Sequence, residues 1–198
     1  MPFVLPNSTV LKLPIDEVID DIKATLARSS NLILIAAPGA GKTTRVPLAL
    51  LNEGWLEGKK ILMLEPRRVA ARNAATFMAS QLSEACGETI GYRMRRESKV
   101  SANTRIEVVT EGILTRLLQS DPELSDVGVI IFDEFHERHL ASDLGLALSL
   151  QCQQVFNPDL KLLVMSATLD SEALSKLLDA PVIQSEGRSF PVDTHYRP

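Results

Sequence analysis

The sequence has few cysteines and no long apolar run, and each shortage excludes a class of protein. Cys86 and Cys152 are its two cysteines, which is too few for a disulfide framework or a thiolate metal site. The apolar run at 32–37 is far shorter than the roughly 20 residues of a membrane helix. The first residues also lack a charged region followed by an apolar stretch, so no secretion signal is indicated. We therefore expect a soluble, cytoplasmic protein without membrane contact.

A strong excess of one charge is also missing from the whole chain. Its 21 Lys and Arg residues stand against 25 Asp and Glu residues, a net charge of −4. The segment 59–116, however, holds eleven basic and six acidic residues, a net +5, which leaves −9 for the remainder. Such a basic stretch favours a track for a nucleic-acid backbone. The alternative is a solvated basic face that pairs with nearby acids, and charge alone does not separate the two.

What the sequence does contain is an alternation of apolar strands and helices. With 198 residues, 45% of them hydrophobic, the chain has the size of one domain with its own core. Strands are predicted at 31–36, 60–65, 105–110, 127–133, 161–166, 182–184 and 192–196. Helices are predicted at 14–28, 43–52, 67–82, 112–119, 140–154 and 171–178. Buried strands joined by helical crossovers indicate an α/β sandwich with a parallel sheet, whose functional residues lie after the carboxyl ends of the strands.

A phosphate-binding loop is the first motif at such a strand end. The strand at 31–36 is followed by Pro38, Gly39, Ala40, Gly41, Lys42, Thr43 and Thr44, and then by a helix. Glycines let the backbone amides converge on one point, Lys42 reaches the β- and γ-phosphates, and the Thr43 hydroxyl completes a Mg²⁺ site. Ala36 stands where the strict motif has its first glycine, a mild departure because the residue is still small.

Two adjacent carboxylates end another strand. The apolar run 127–132 leads into Asp133 and Glu134, and buried carboxylates are costly unless they are used. Asp133 is placed to hold Mg²⁺, and Glu134 to polarise the water that attacks the γ-phosphate. The nearby His136 and His139 do not have the spacing of a zinc protease motif, so we expect no zinc.

These motifs together resemble a known family. They lie at 39–43, 66–71 (Pro-Arg-Arg-Val-Ala-Ala), 91–92, 110–112, 133–136 and 166–168. In this order they resemble the first RecA-like domain of the DEAH-box, superfamily 2 helicases. The Asp-Glu-Phe-His variant and the segment 185–192 are most similar to the bacterial HrpB-type branch of ATP-dependent RNA helicases. The resemblance covers about 15–198.

The resemblance implies a fold, a domain plan and a reaction. The fold would be the RecA-like P-loop NTPase, a three-layer sandwich with a mostly parallel central sheet. Residues 1–198 would form one N-terminal ATP-binding domain, and about 181–198 would lead towards a second RecA-like domain, whose Gln-x-x-Gly-Arg-x-Gly-Arg motif the sequence lacks. The cofactors would be ATP and Mg²⁺. Because that second domain supplies arginine fingers, we expect weak ATP binding and slow or undetectable hydrolysis from this chain alone.

The resemblance also assigns roles to residues. The catalytic set is Glu134, Asp133 and Lys42, and Mg²⁺ is held by Thr43 and Asp133. The nucleotide contacts are Pro38, Gly39, Ala40, Gly41, Lys42, Thr43 and Thr44, with Phe77 in place of a base-stacking arginine of related proteins. The residues that would couple nucleotide state to domain movement are His136, Ser166, Ala167 and Thr168. The nucleic-acid contacts, expected to be with RNA, are Arg67, Arg68, Arg95, Thr110, Glu111 and Gly112.

Two other functions remain open at this point. A small-molecule kinase would also have about 200 residues and a phosphate loop, although the acidic pair followed by Phe135 and His136 argues against it. A non-catalytic module that binds a partner is the second alternative.

Overall fold

Eight strands form one sheet in a computed structural model that describes residues 12–168 and 172–186. In chain order they are β1 (Asn31–Ala36), β2 (Lys60–Leu64), β3 (Ile90–Met94), β4 (Glu97–Lys99), β5 (Ile106–Val109), β6 (Val127–Phe132), β7 (Lys161–Ser166) and β8 (Val182–Ser185). Their order across the sheet is β4-β3-β5-β2-β6-β7-β1-β8. Every neighbouring pair is parallel except β3 and β4. The mostly parallel sheet is therefore as predicted.

Helices cover both faces of this sheet. They are α1 (Ile19–Arg28), α2 (Lys42–Leu50), α3 (Arg68–Gln81), α4 (Glu111–Ser120), α5 (Leu140–Val155) and α6 (Glu172–Leu178). The buried residues of α1, α2 and α3 pack in one apolar cluster with one face of the sheet. Those of α4, α5 and α6 pack in a second cluster with the other face. The three layers confirm the predicted sandwich.

The central strands match the prediction because they are buried on both faces and read as unbroken apolar runs. β1 and β7 have the predicted bounds, β2, β5 and β6 each end one residue early, and β5 also begins one residue late. β3 and β4 were not predicted. β4 is the edge strand of the sheet, β3 lies between β4 and β5, and both carry charged residues. Gly91 in β3 leaves room for the neighbouring backbone, since a Cβ there would lie 2.2 Å from the carbonyl oxygen of Lys99.

The first predicted helix is divided in two. A 3-10 turn spans Pro14–Glu17, and α1 begins only at Ile19. A tertiary hydrogen bond stabilises this turn, because the amide of Ile15 donates to the carbonyl of Ala40 (3.2 Å) in the phosphate loop. The Asp16 carboxylate in turn accepts from the amide of Leu13 (2.9 Å). The prediction of one continuous helix was wrong because periodicity does not register such a contact.

Part of the predicted tail lies outside the described residues. β8 extends the strand predicted at 182–184 by one residue. The strand predicted at 192–196, position 171 and the end of the 185–192 motif fall outside. No described helix has the length and apolar character needed to cross a membrane.

Candidate functional site

The phosphate loop connects β1 to α2 at the carboxyl edge of the sheet. Gly39 and Gly41 have φ angles of 77° and 93°, a region that favours glycine. A Cβ at Gly41 would also lie 2.5 Å from Cδ1 of Leu13. α2 begins at Lys42 directly after Gly41, so its first amides open onto the same space. Unpaired amides at a helix start attract anions.

The four charged and hydroxyl residues predicted for nucleotide chemistry lie in contact with one another. Lys42 is buried, with 3% of its surface exposed, and its Nζ lies 3.0 Å from Oε1 of Glu134. The Thr43 hydroxyl donates a hydrogen bond to Oδ2 of Asp133 (2.5 Å). The sheet order explains the meeting, because β1 and β6 are separated only by β7. Thr44 follows in the first turn of α2, where its amide contacts the carbonyl of Gly41 (3.3 Å).

The oxygen pair of Thr43 and Asp133 fits Mg²⁺. Hydroxyl and carboxylate oxygens are the ligands this ion takes, together with phosphate oxygens and water. Burial raises the pKa of Asp133 to about 6, and the nearby Glu134 carboxylate adds to the rise, while the Thr43 hydrogen bond and Lys42 oppose it. A bound cation would favour the ionised carboxylate, so these two oxygens are candidate ligands for Mg²⁺.

Glu65 is a further acid in this region that sequence reasoning did not single out. It follows β2 directly and is buried, with 3% of its surface exposed. Burial, together with the charge of Asp133, raises the pKa of Glu65 to about 7, although the Arg67 amide donates to its Oε1 (3.3 Å). The signal was present, since an acid after a buried strand is also what marked Asp133.

Glu65→Gln is expected to stabilise the chain at pH 8 but not near pH 4.5. The folded-state pKa of about 7 lies above the ordinary 4.5, so the unfolded chain ionises first and stability falls as the pH rises between these values. Glutamine keeps the oxygen that accepts from Arg67 and removes the charge. The free energy of unfolding from denaturant titration should rise by about 1 to 2 kcal/mol at pH 8. An equal change at both pH values, or an equal gain in exposed Glu123→Gln, would contradict this account.

The residues predicted to couple nucleotide state to movement lie beside Glu134. Nε2 of His136 is 3.4 Å from Oε2 of Glu134, and its Nδ1 lies 3.3 Å from the amide nitrogen of Ala167, which donates to it. The Ser166 hydroxyl accepts from the amide of Thr168 (3.3 Å). A cavity of about 100 Å³ is lined by His136, Ser166 and Thr168 among others. The structure thus brings all four predicted coupling residues together.

The predicted nucleic-acid residues follow β2, β3 and β5 at the same edge. Arg67 and Arg68 are exposed, and Arg67 pairs with Glu137. Arg95 is exposed in the turn between β3 and β4, and its carbonyl accepts from Nη2 of Arg68 (3.4 Å). Thr110 precedes α4 and Gly112 lies exposed in its first turn. All of these residues thus follow strands that are neighbours in the order β3-β5-β2.

Glu111 differs from its predicted neighbours. Its Oε1 accepts a hydrogen bond from the Ser142 hydroxyl (2.7 Å) and lies 3.2 Å from Nδ1 of His139. These contacts link the start of α4 to the start of α5, and the contact of Glu111 with nucleic acid stays a prediction.

Part of the basic segment pairs with acids, as the alternative interpretation expected. Arg93 pairs with Glu107 at 2.7 Å. Arg72 pairs with Glu97 at 2.5 Å, and Glu97 also accepts from the Tyr92 hydroxyl (2.7 Å). Arg68 also lies near Glu97, at 3.9 Å, but it stays exposed, as does Arg95. Phe77, on α3, is 52% exposed, and its role in base stacking stays a prediction.

Comparison with known proteins agrees with this geometry. The sequence model of the DEAD/DEAH box helicase family matches residues 16–177. The ATP-dependent RNA helicase HrpB of Escherichia coli is 54% identical over 187 residues, which are 94% of this chain and 23% of that protein. The ATP-dependent RNA helicase HrpA homolog of Haemophilus influenzae is 36% identical over 198 residues, all of this chain and 15% of that protein.

Solved structures give the same result. A crystal structure of the E. coli DEAH/RHA helicase HrpB superimposes with a TM-score of 0.87 at 54% identity, covering 91% of this chain and 23% of that one. A second, of the E. coli DExH-box NTPase HrpB, also has a TM-score of 0.87, at 52% identity, covering 94% and 23%. The chain thus spans less than a quarter of the length of these relatives. The kinase and non-catalytic alternatives are not favoured, and the chain belongs to the DEAD/DEAH box helicase family.

Proposed function

We propose that this chain is the ATP-binding and hydrolysis domain of an RNA helicase, working with a second RecA-like domain in the cytoplasm. The observation that carries the proposal is the convergence of Lys42, Thr43, Asp133 and Glu134 at the ends of β1 and β6. Its relatives are RNA helicases by name. Zinc has no part in this function.

The side chains divide the chemistry among themselves. Lys42 binds the β- and γ-phosphates, and the amides of residues 39–44 hold the phosphates in the loop. Thr43 and Asp133 would hold Mg²⁺, which would supply positive charge beside the phosphates. Glu134 orients the attacking water and accepts its proton.

The ion pair between Lys42 and Glu134 suggests how the site changes when ATP enters. Their 3.0 Å contact occupies both groups. A triphosphate draws Lys42 to its own oxygens, and Glu134 is then free to face water. His136 contacts both Glu134 and the backbone at Ala167, so the same change reaches the segment 166–168.

RNA contacts the exposed surface after β2, β3 and β5. Arg67, Arg68 and Arg95 supply charge, and Thr110 and Gly112 supply a hydroxyl and helix-start amides. Such contacts read the backbone and not the base sequence. The domain therefore binds RNA without base preference.

Replacing Arg67 or Arg68 by alanine is expected to weaken RNA binding severalfold, equally for different sequences. Each variant should also flatten the salt dependence, by about 0.7 in the slope of log K against log salt for each lost phosphate contact with a single strand. Fluorescence anisotropy of a labelled oligonucleotide at several salt concentrations measures both.

The matched control is Arg28→Ala. Arg28 is exposed and ends α1 just before β1 begins, which places it at the opposite edge of the sheet. It should leave affinity and slope unchanged. Unchanged slopes in both test variants would contradict the proposal that RNA binds this surface. They would not contradict the proposal that the chain binds ATP.

A further inference from the structure

A chain of polar contacts joins the surface proposed for RNA to the loop that carries Glu134. Arg67 pairs with Oε1 of Glu137. Oε2 of Glu137 lies 3.4 Å from Nε2 of His139, and Nδ1 of His139 lies 3.2 Å from Oε1 of Glu111. The Ser142 hydroxyl donates to the same Glu111 oxygen (2.7 Å). We call Glu137, His139 and Glu111 the carboxylate–imidazole bridge.

The bridge spans three strands that are neighbours in the sheet. Arg67 follows β2, Glu137 and His139 follow β6, and Glu111 follows β5. The order β5-β2-β6 places these three strand ends side by side. The side chains of the bridge therefore connect the loops after β5, β2 and β6, beyond the point where the backbone hydrogen bonds of the sheet end.

Glu137 is attached to Glu134 through a single tight turn. The 3-10 turn Phe135–Glu137 follows Glu134 directly and ends at Glu137. The amide of Glu137 donates a hydrogen bond to the carbonyl of Glu134 (3.0 Å). The residues on either side of this turn, Glu134 and Arg138, have φ angles of 51° and 50° without being glycine. Such conformations persist only where surrounding contacts impose them. A change in the contacts of the Glu137 side chain is therefore expected to alter the backbone conformation at Glu134.

Arg67 is placed to exchange partners. Its side chain is 67% exposed, whereas that of Glu137 is 17% exposed, so the guanidinium faces solvent and the carboxylate faces the protein. Exposed ion pairs are weak, and arginine binds phosphate through two parallel hydrogen bonds. A phosphate arriving from solvent can thus take Arg67 from Glu137, while His139 remains beside the released carboxylate.

From these contacts we propose that Glu137 is a positioning residue that competes with RNA phosphate for Arg67. When RNA binds Arg67, the released Glu137 changes the conformation of the Phe135–Glu137 turn and so the position of Glu134. The inference rests on the proposed function and adds the regulation of that same site. His139, which Glu111 contacts on its other nitrogen, holds Glu137 once Arg67 has left it. Glu137 itself touches neither RNA nor nucleotide.

A double-mutant cycle in the 198-residue chain tests the competition. Glu137→Gln removes the competing charge at nearly constant size and should raise the affinity for a labelled oligouridylate about two- to fivefold, the range of an exposed ion pair. In the Arg67→Ala background the same change should have no effect. Glu137→Ala should repeat this pattern, and thermal unfolding checks that each variant folds.

The control Asp143→Asn removes a nearby acid that pairs with Arg138 at 3.3 Å, and its effect should be the same in both backgrounds.

A second readout tests the transmission to Glu134. Coupling between two ligands is reciprocal, so RNA should change the affinity for a non-hydrolysable ATP analogue with Mg²⁺ in the parent chain. The factor should fall towards one in Glu137→Gln. A Glu137→Gln effect of equal size with and without Arg67, or an unchanged coupling factor, would overturn the inference while leaving RNA binding in place. Failure of the parent chain to bind RNA would instead overturn both the inference and the proposed RNA surface.

Discussion

The 198-residue chain is expected to hydrolyse ATP roughly 10³ to 10⁵ times more slowly than intact E. coli HrpB, the size of the contribution that a partner's arginine makes to phosphoryl transfer. The described site offers Lys42, Thr43, Asp133 and Glu134 to the nucleotide, and the sequence has no Gln-x-x-Gly-Arg-x-Gly-Arg motif. Phosphate release at saturating ATP, with and without RNA, measures the difference.

Glu134→Gln is the control for this comparison. It keeps the size of the side chain and removes the group proposed to accept the proton from water, so its rate should fall below that of the parent chain, and an equal rate in both would indicate a contaminating ATPase. A rate within tenfold of the intact relative, or unwinding of RNA by the chain alone, would show that the second domain is not needed.

Lys42→Ala is expected to weaken the binding of ATP with Mg²⁺ about 10- to 100-fold, the range of a charge-assisted hydrogen bond to phosphate. Lys42 is buried and held 3.0 Å from Glu134, so its loss removes a positioned cation and also leaves the Glu134 carboxylate facing the incoming phosphates. Titration calorimetry gives the dissociation constant.

Lys176→Ala serves as the matched control for the loss of a lysine. Lys176 is exposed on α6, where it pairs with Glu172 at 2.8 Å. Its replacement should leave nucleotide affinity unchanged. If Lys42→Ala folds and binds within twofold of the parent chain, the phosphate loop does not work as we propose.

The sequence predicted the centre of the fold better than its edges. β1 and β7 were placed correctly because strands buried on both faces are apolar throughout. β3 and β4 escaped prediction because they are short and carry charged residues, such as Arg93 in β3 and Lys99 in the edge strand β4, which interrupt the apolar pattern. Tertiary contact decided the break between Glu17 and Ile19, and local periodicity could not anticipate it.

The site divides in the same way. The meeting of Thr43 with Asp133 followed from a general rule, because residues after parallel strands share one edge of the sheet. The pairing of Arg67 with Glu137 did not follow, since it depends on the conformation of two loops and on rotamers of exposed side chains. Glu65 was visible in the sequence, but its burial beside Asp133 required the register of β2 with β6.

The turn Pro14–Glu17 bears on where the phosphate-binding unit begins. Leu13 fills the space beside Gly41, the Ile15 amide bonds to Ala40, and Asp16 lies 3.8 Å from Arg45 of α2. The family match starts only at residue 16. A truncation at that point would keep every residue of the phosphate loop and remove the support beneath it. The working boundary of the unit thus lies upstream of its recognisable motif.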